Sequence, residues 1–297
     1  MDKREFESLR RTVTTPFGEI AYVEKGEGPA ALFVHGVFLN GYLWRNVIDG
    51  LASERRCIAL DLMGHGATRV SDEQDLSFAA QADMLAAFVD ALGIDTVDLV
   101  GNDSGGGIAQ IFAAKHPQRV RTLTLTNCDV SDNVFPEAFV PVVEVCKAGA
   151  MLKVFEPLVG NAEPARKAFG NTFESPEKID QETFDAYLAP AVELEKSSRA
   201  TQRWMQALLA EDLSAVTPLL RELQAPALIV WGTDDVFFDT KWAYWLQETL
   251  GGPAEVVEVS GARLFFPEER PEELVGYVRG FWARSAPVQV ATSADVA

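Results

Sequence analysis

The segment LVGNDSGGGIAQIFAAKHP, residues 99–117, decides the fold class of this chain. Its pattern predicts a buried strand, a tight turn and a helix, with the turn GNDSG at 101–105. A Gly-x-nucleophile-x-Gly turn of this kind lifts its middle side chain above the strand, beside the first amides of the helix. The spacing makes Asp103 the middle residue and places Ser104 one position too late. An aspartate at this position can attack an electrophilic carbon and form an ester.

The same turn has two other interpretations. A dinucleotide-binding turn needs the spacing G-x-G-x-x-G, but Gly105 and Gly107 are followed by Gln110. Asp103 could instead be an ordinary helix cap, which needs no catalytic role. The turn alone favours a nucleophile over a helix cap at Asp103. The motifs elsewhere in the chain bear on the choice between these two roles.

Short apolar segments and helical segments alternate along the chain. The segment 19–24 alternates in polarity and predicts an exposed strand. Six further segments are apolar, rich in β-branched residues and end in Gly, Asp or Asn, as doubly buried parallel strands do: 30–36, 56–61, 97–101, 121–127, 227–232 and 254–261. Helical patterns lie between or after them, at 77–92, 105–115, 239–250 and 271–283. The sequence therefore predicts an α/β fold with a mostly parallel sheet and helices on both faces.

The alternation stops near residue 130 and resumes near residue 226. Residues 133–217 carry helical patterns without strand signals, so we predict a helical cap over the carboxyl ends of the strands, where open α/β sheets bind ligands. The core is then expected in two parts, 1–132 and 218–284. Residues 285–297 are small and weakly patterned and are expected to form a flexible tail.

Composition excludes several classes of function. The net charge is −18 and the isoelectric point is about 4.6, so phosphate backbones and anionic membrane surfaces would repel the protein. Three cysteines without CxxC spacing argue against a disulfide framework and a zinc site. The N-terminus lacks the apolar stretch of a signal peptide, and no apolar run approaches the ~20 residues of a membrane span. We expect a cytoplasmic protein that acts on a small molecule without a metal or organic cofactor. Its oligomeric state stays open, a homodimer included.

Motifs at the ends of other predicted strands accompany the turn. In chain order they are HG at 35–36, DLMGHG at 61–66, WGTDD at 231–235 and GARLFFPEERPEEL at 261–274. With these motifs the chain resembles the α/β-hydrolase superfamily from about residue 12 to residue 284. Within it the chain is similar to the Asp-nucleophile branch of haloalkane dehalogenases and epoxide hydrolases. The turn of that branch commonly reads GHDWGG, where this chain has GNDSGG.

The resemblance implies roles for residues around Asp103. The amide of Val37 or Phe38, together with that of Ser104, would stabilise the developing charge. Asp235 stands at the usual position of the acid that orients a histidine. The remaining assignments are Asp129 as an alternative acid, and His35, Trp44 and Tyr187 in the substrate pocket. The aromatic residues of 133–217 could line that pocket or simply pack the cap.

The largest departure from the family pattern concerns the base. The family's histidine, which activates water to cleave the ester, falls on Leu264 when counted from the following PEERPEEL motif. Counting from Gly261 instead places Arg263 there, and neither residue is a neutral base at pH 7. An ester on Asp103 could therefore form, but its hydrolysis would stall because it needs an activated water. The alternatives are a lyase, isomerase or cyclase that uses Asp103 as acid or base, and a ligand-binding protein without catalysis.

Overall fold

A computed structural model describes residues 1–285, and these residues contain one eight-stranded sheet. The strands are β1 Arg10–Thr15, β2 Gly18–Lys25, β3 Ala30–Val34, β4 Arg56–Leu60, β5 Val97–Asp103, β6 Val120–Cys128, β7 Ala227–Gly232 and β8 Ala254–Val259. They lie side by side in the order β1-β2-β4-β3-β5-β6-β7-β8. The strands from β4 to β8 pair in parallel, whereas β2 runs antiparallel to both β1 and β4. The predicted α/β class with a mostly parallel sheet is confirmed.

Helices cover the sheet and fill the insertion between β6 and β7. They are α1 Lys3–Ser8, α2 Arg45–Leu51, α3 Phe78–Ala91, α4 Ser104–Lys115, α5 Val140–Lys147, α6 Met151–Phe155, α7 Ala162–Ala168, α8 Gln181–Ser198, α9 Ala200–Ala207, α10 Ala210–Ser214, α11 Thr217–Leu220, α12 Lys241–Thr249, α13 Phe266–Glu269 and α14 Pro271–Ser285. Short 3₁₀ turns occur at Gly41–Trp44, Pro117–Arg119, Glu137–Phe139, Glu156–Leu158 and Pro176–Lys178. Ser77 caps α3 by accepting a hydrogen bond from the amide of Ala80, which satisfies one free donor of the first turn.

Glycines let α4 approach the centre of the sheet. A Cβ on Gly105 would lie 2.3 Å from the carbonyl oxygen of His35, and one on Gly106 would lie 2.4 Å from the Cβ of Cys128. A Cβ on Gly101 would meet the carbonyl oxygen of Gly105 at 2.7 Å. Only glycine fits these three contacts, so the glycine-rich segment fixes where the turn before α4 lies.

The insertion predicted at 133–217 contains helices and no strand among these described residues. Its first helices, α5 to α9, pack mostly on one another, but α10 already packs on α3 and α4. The chain therefore returns to the core before residue 217. The division into 1–132, 133–217 and 218–284 stays a prediction.

Two further expectations concern the chain as a whole. Within residues 1–285, no helix combines the length and the apolar character that a membrane span requires. The predicted flexible tail at 285–297 lies outside the described residues except for Ser285, which ends α14.

Replacing Gly105 by alanine tests the close approach of α4. The new methyl group would meet two backbone carbonyl oxygens, those of Val34 and His35, so we expect a loss of about 1–3 kcal/mol of unfolding free energy. Gly276 in α14 is a matched control, because a Cβ there meets nothing within 4 Å. Alanine at 276 should stabilise the helix by about 0.5–1 kcal/mol. Urea denaturation of the two variants measures both effects, and an equal response would refute the packing argument.

Candidate active site

Asp103 lies between β5 and α4 in a strained backbone conformation. Its φ is 54° and its ψ is −133°, a region that residues with a Cβ rarely adopt. The side chain is 4% exposed, and its Oδ2 accepts a hydrogen bond of 2.9 Å from the amide of Val37. It makes no side-chain cap of α4, so the interpretation of Asp103 as an ordinary helix cap is wrong.

A cavity of about 280 Å³ opens above Asp103, between the core and the cap. Val37, Phe38 and Ser104 line it, as expected from their positions. Aromatic side chains from the cap and the core supply much of its wall: Phe135, Phe139, Phe155, Phe169, Trp204, Phe237, Phe238 and Phe265. The cavity therefore suits an apolar ligand with one reactive group directed at Asp103.

Asp129 is the second carboxylate that lines the cavity. It follows β6, and its amide donates to the carbonyl oxygen of Asp103 across 3.4 Å. Burial raises the pKa of Asp129 to about 7, and a hydrogen bond from the Ser104 side chain opposes this shift. Burial also raises the pKa of Asp103 well above its usual range, with the charge of Asp129 as the next cause. The opposing influences on Asp103 are the amides of Val37 and Ser104.

Asp235 lies half-buried near the site, but it does not line the cavity. Its two carboxylate oxygens accept hydrogen bonds of 2.8 Å, one from the amide of Phe237 and one from Nδ2 of Asn127. Burial raises the pKa of Asp235 to about 6 despite these donors. Asn127 also accepts from the amide of Gly232 at 2.7 Å, so it fastens the loop after β7 to β6. Sequence analysis missed Asn127, and the catalytic role expected of Asp235 stays a prediction.

Leu264 faces the cavity from the loop after β8 and is 4% exposed. Its carbonyl oxygen accepts a hydrogen bond of 3.0 Å from Nδ2 of Asn102, the residue beside Asp103 in the turn. The neighbouring Arg263 instead donates to the carbonyl oxygen of Gly170 in the cap. Of the two alignments, the one that assigns Leu264 to the position of the missing histidine therefore matches the geometry. An apolar side chain stands where a base was expected.

The prediction that His35, Trp44 and Tyr187 line the pocket is wrong, because none of them is among the residues that form the cavity wall. His35 is fully buried; its Nε2 accepts from the amide of Leu62 at 3.0 Å and its Nδ1 donates to the carbonyl oxygen of Gly36 at 2.8 Å. Burial lowers the pKa of His35 to about 4, so its ring stays neutral. All three histidines of the chain are described, and none lines the cavity.

Trp44 and Tyr187 serve the packing between elements. The ring of Trp44 is fully buried against Phe33, with ring centroids 5.5 Å apart. The hydroxyl of Tyr187 donates to the carboxylate of Glu268, which also binds both terminal nitrogens of Arg45 at 2.5 Å. Adjacency to a motif in the sequence did not reveal which way these side chains face.

Comparison with known proteins identifies the family. A sequence model described as alpha/beta hydrolase fold matches residues 29–270, most of the chain. The chain belongs to the α/β-hydrolase family. The turn around Asp103 occupies the place of the nucleophile elbow in this fold, and the role of Asp103 as nucleophile stays a prediction. Among residues 1–285, no cluster of three or more His, Cys, Asp or Glu side chains is arranged to hold a metal ion.

Three proteins of different named activity are similar to the chain. Haloalkane dehalogenase 2 of Mycobacterium tuberculosis is 27% identical over 272 residues, which cover 88% of this chain and 90% of that protein. A cis-3-alkyl-4-alkyloxetan-2-one decarboxylase of Shewanella oneidensis is 23% identical over 276 residues, covering 89% of this chain and 85% of that protein. The solved structure of epoxide hydrolase CorEH superimposes with a TM-score of 0.77 at 23% identity, covering 93% of this chain and 98% of that one.

The raised pKa of Asp129 predicts a pH-dependent loss of stability. Its carboxyl titrates near 3.8 when unfolded and near 7 when folded, so the unfolded chain ionises first and the native state loses stability as pH rises between these values. The loss is complete above pH ~7 and amounts to about 4 kcal/mol at most. Asp129→Asn should therefore be more stable than the unsubstituted protein at about pH 8 and unchanged near pH 4.

Urea denaturation at both pH values measures this difference. Asp132→Asn is the matched control, because Asp132 is an exposed carboxylate three positions further on and should show no gain at either pH. A destabilised Asn variant at about pH 8 would contradict the assignment of an uncompensated buried charge to Asp129.

Proposed function

We propose that the protein is an enzyme in which Asp103 attacks an electrophilic carbon of a small, largely apolar molecule and forms an ester with it. The observation that carries this proposal is the position of the Asp103 carboxylate. The strained elbow holds it at the floor of an apolar cavity, with the Val37 amide 2.9 Å from Oδ2. A nucleophile fixed in this way needs little further ordering before attack.

The cavity wall indicates which leaving groups suit this site. The buried indole nitrogen of Trp204, which lines the cavity, has no hydrogen-bond partner among residues 1–285. This nitrogen is buried away from the cavity, so Trp204 contributes apolar wall rather than a donor. Tyr187, the one tyrosine of the predicted cap, is bound to Glu268 and would not protonate an epoxide oxygen. An apolar wall without this hydroxyl favours substrates whose leaving group needs no proton, such as an alkyl halide or a strained lactone, over epoxides.

A second candidate function follows from Leu264. If the substrate is a β-lactone, Asp103 attacks the saturated ring carbon that is bonded to the ring oxygen. This attack opens the ring and releases a carboxylate. Loss of carbon dioxide then forms a carbon–carbon double bond and expels the Asp103 carboxylate. This sequence consumes no water and needs no base at position 264, and the similar decarboxylase acts on a ring of this kind. Here the leaving group remains attached to the substrate until carbon dioxide departs.

The ester is the first testable consequence. Mixing the protein with a linear alkyl bromide or a dialkyl β-lactone, followed by rapid acid quenching, should give a protein whose intact mass has increased by the expected substrate fragment. Peptide mapping should locate the increase on Asp103. Asp103→Asn should lose both the adduct and bromide release, because its amide is a far weaker nucleophile, while Asp132→Asn should keep them. Undiminished turnover by Asp103→Asn would refute the proposal.

Water labelled with heavy oxygen separates the two candidate functions. In hydrolysis the label enters the Asp103 carboxylate during the first turnover and the alcohol product in later turnovers. In decarboxylation of a β-lactone neither the protein nor the alkene acquires label, and carbon dioxide is released in equal amount. Mass spectrometry of protein and product measures both. Labelled alcohol from the lactone would exclude the decarboxylase function for that substrate.

A further inference from the structure

We propose that Asp129 is the general base that activates water to release substrate from the Asp103 ester. This inference rests on the proposed ester on Asp103. It assigns to the carboxylate that follows β6 the task that the resemblance gives to a histidine. The protein would then turn over despite Leu264, and the stall expected from sequence would not occur.

The positions of the two carboxylates carry the inference. Asp103 ends β5 and pairs in parallel register with Cys128, the residue before Asp129. Parallel neighbours present their carboxyl ends at the same edge of the sheet, and both aspartates line the cavity there. Since Asp129 and Leu264 line the same cavity as Asp103, water bound beside the ester can reach Asp129.

Contacts with α4 fix the position of Asp129 at the edge of the cavity. Nε2 of Gln110 donates to the carbonyl oxygen of Asp129 at 2.8 Å and to that of Gly106 at 3.1 Å. Gly107 leaves room for the side chain, since a Cβ there would lie 3.2 Å from the Cβ of Asp129. Asp129 is thus anchored through its backbone to α4, which also carries Ser104. A base that does not move between turnovers suits proton transfer in a small cavity.

The environment of Asp129 also gives it the basicity that the step needs. Burial raises its pKa to about 7, with the Ser104 side chain opposing. Esterification of Asp103 removes the negative charge of that carboxylate and leaves the burial of Asp129 in place. The other titratable neighbours are Cys128, whose pKa is raised well above its usual range, and Asp235. Asp129 therefore ionises close to neutral pH, where a general base is most effective.

The proposed step balances without another reactant. The water oxygen attacks the side-chain carbonyl carbon of esterified Asp103 while one water proton passes to Asp129. The amide of Val37, which already hydrogen-bonds this carboxylate, and the neighbouring amide of Ser104 stabilise the oxyanion. Collapse breaks the bond to the substrate oxygen, which takes the proton from Asp129 and leaves as an alcohol. Asp103 remains as a carboxylic acid and loses its proton to solvent before the next attack.

Asp129→Asn tests this assignment with an alkyl bromide as the probe. The variant should release one bromide per protein in a rapid burst, keep a persistent adduct on Asp103, and turn over 10²–10⁴-fold more slowly thereafter. The unsubstituted protein and the control Asp132→Asn should continue to turn over. Their rate of ester breakdown should rise with pH through about 7 and then level, because Asp129 must be ionised, whereas breakdown in Asp129→Asn should lack this rise.

Each other outcome has a distinct meaning. An adduct that persists equally in the unsubstituted protein and in Asp129→Asn would overturn Asp129 as the base and keep Asp103 as the nucleophile. Turnover by Asp129→Asn at the unsubstituted rate would overturn it as well. Neither bromide release nor adduct in any variant would refute the proposed function with alkyl halides, and the inference with it. If Asp129→Asn fails to fold, Asp129→Ser makes the same test, because its hydroxyl can accept the hydrogen bond from Ser104.

Discussion

The positive φ of Asp103 is the constraint on which the site depends. A residue with a Cβ in such a conformation is destabilised by about 1–3 kcal/mol and persists only where its surroundings hold it. Here the surroundings are the glycines of the elbow, which let α4 approach the ends of β3 and β6. A Cβ on Gly36 would fall 2.2 Å from Oδ2 of Asp103, so the loop after β3 fits closely against the carboxylate. The Val37 amide reaches Asp103 for the same reason.

The second feature of the site is that two acidic side chains share a buried, largely apolar environment. Asp235 is half-buried, and its oxygens are satisfied by Asn127 and Phe237. Asp103 and Asp129 face the cavity, and burial raises the pKa of both. Such an arrangement lowers stability at neutral pH, and groups with strongly shifted pKa values that line a cavity are typical of functional sites.

The sequence predicted those parts of the structure whose pattern is local. The strands β2 to β8 were found from their apolar or alternating runs, and Ser77 marked the start of α3. Two burial predictions were wrong: β2 is largely buried rather than exposed, and β8 is a partly exposed edge strand rather than a doubly buried one. The strand β1 was missed, since RRTVTT is a largely exposed edge strand with no apolar run. Spacing located Asp103 and Leu264 because one is the middle residue of a turn motif and the other precedes a helix start. The pocket assignments of His35, Trp44 and Tyr187 failed, because the direction of a side chain after a motif depends on tertiary packing.

Leucine in place of the expected histidine also affects the pKa of the neighbouring carboxylates. An imidazolium at position 264 would offset the negative charge of Asp103 and Asp129, whereas the side chain of Leu264 carries no charge. The influences that lower the pKa of Asp103 are backbone amides, and for Asp129 the Ser104 side chain. Backbone dipoles offset burial only in part, so protons stay bound to the pair at a higher pH than in a site with an imidazole. Leucine at position 264 thus leaves the raised pKa of Asp129 in place, as the proposed role of Asp129 as the base requires.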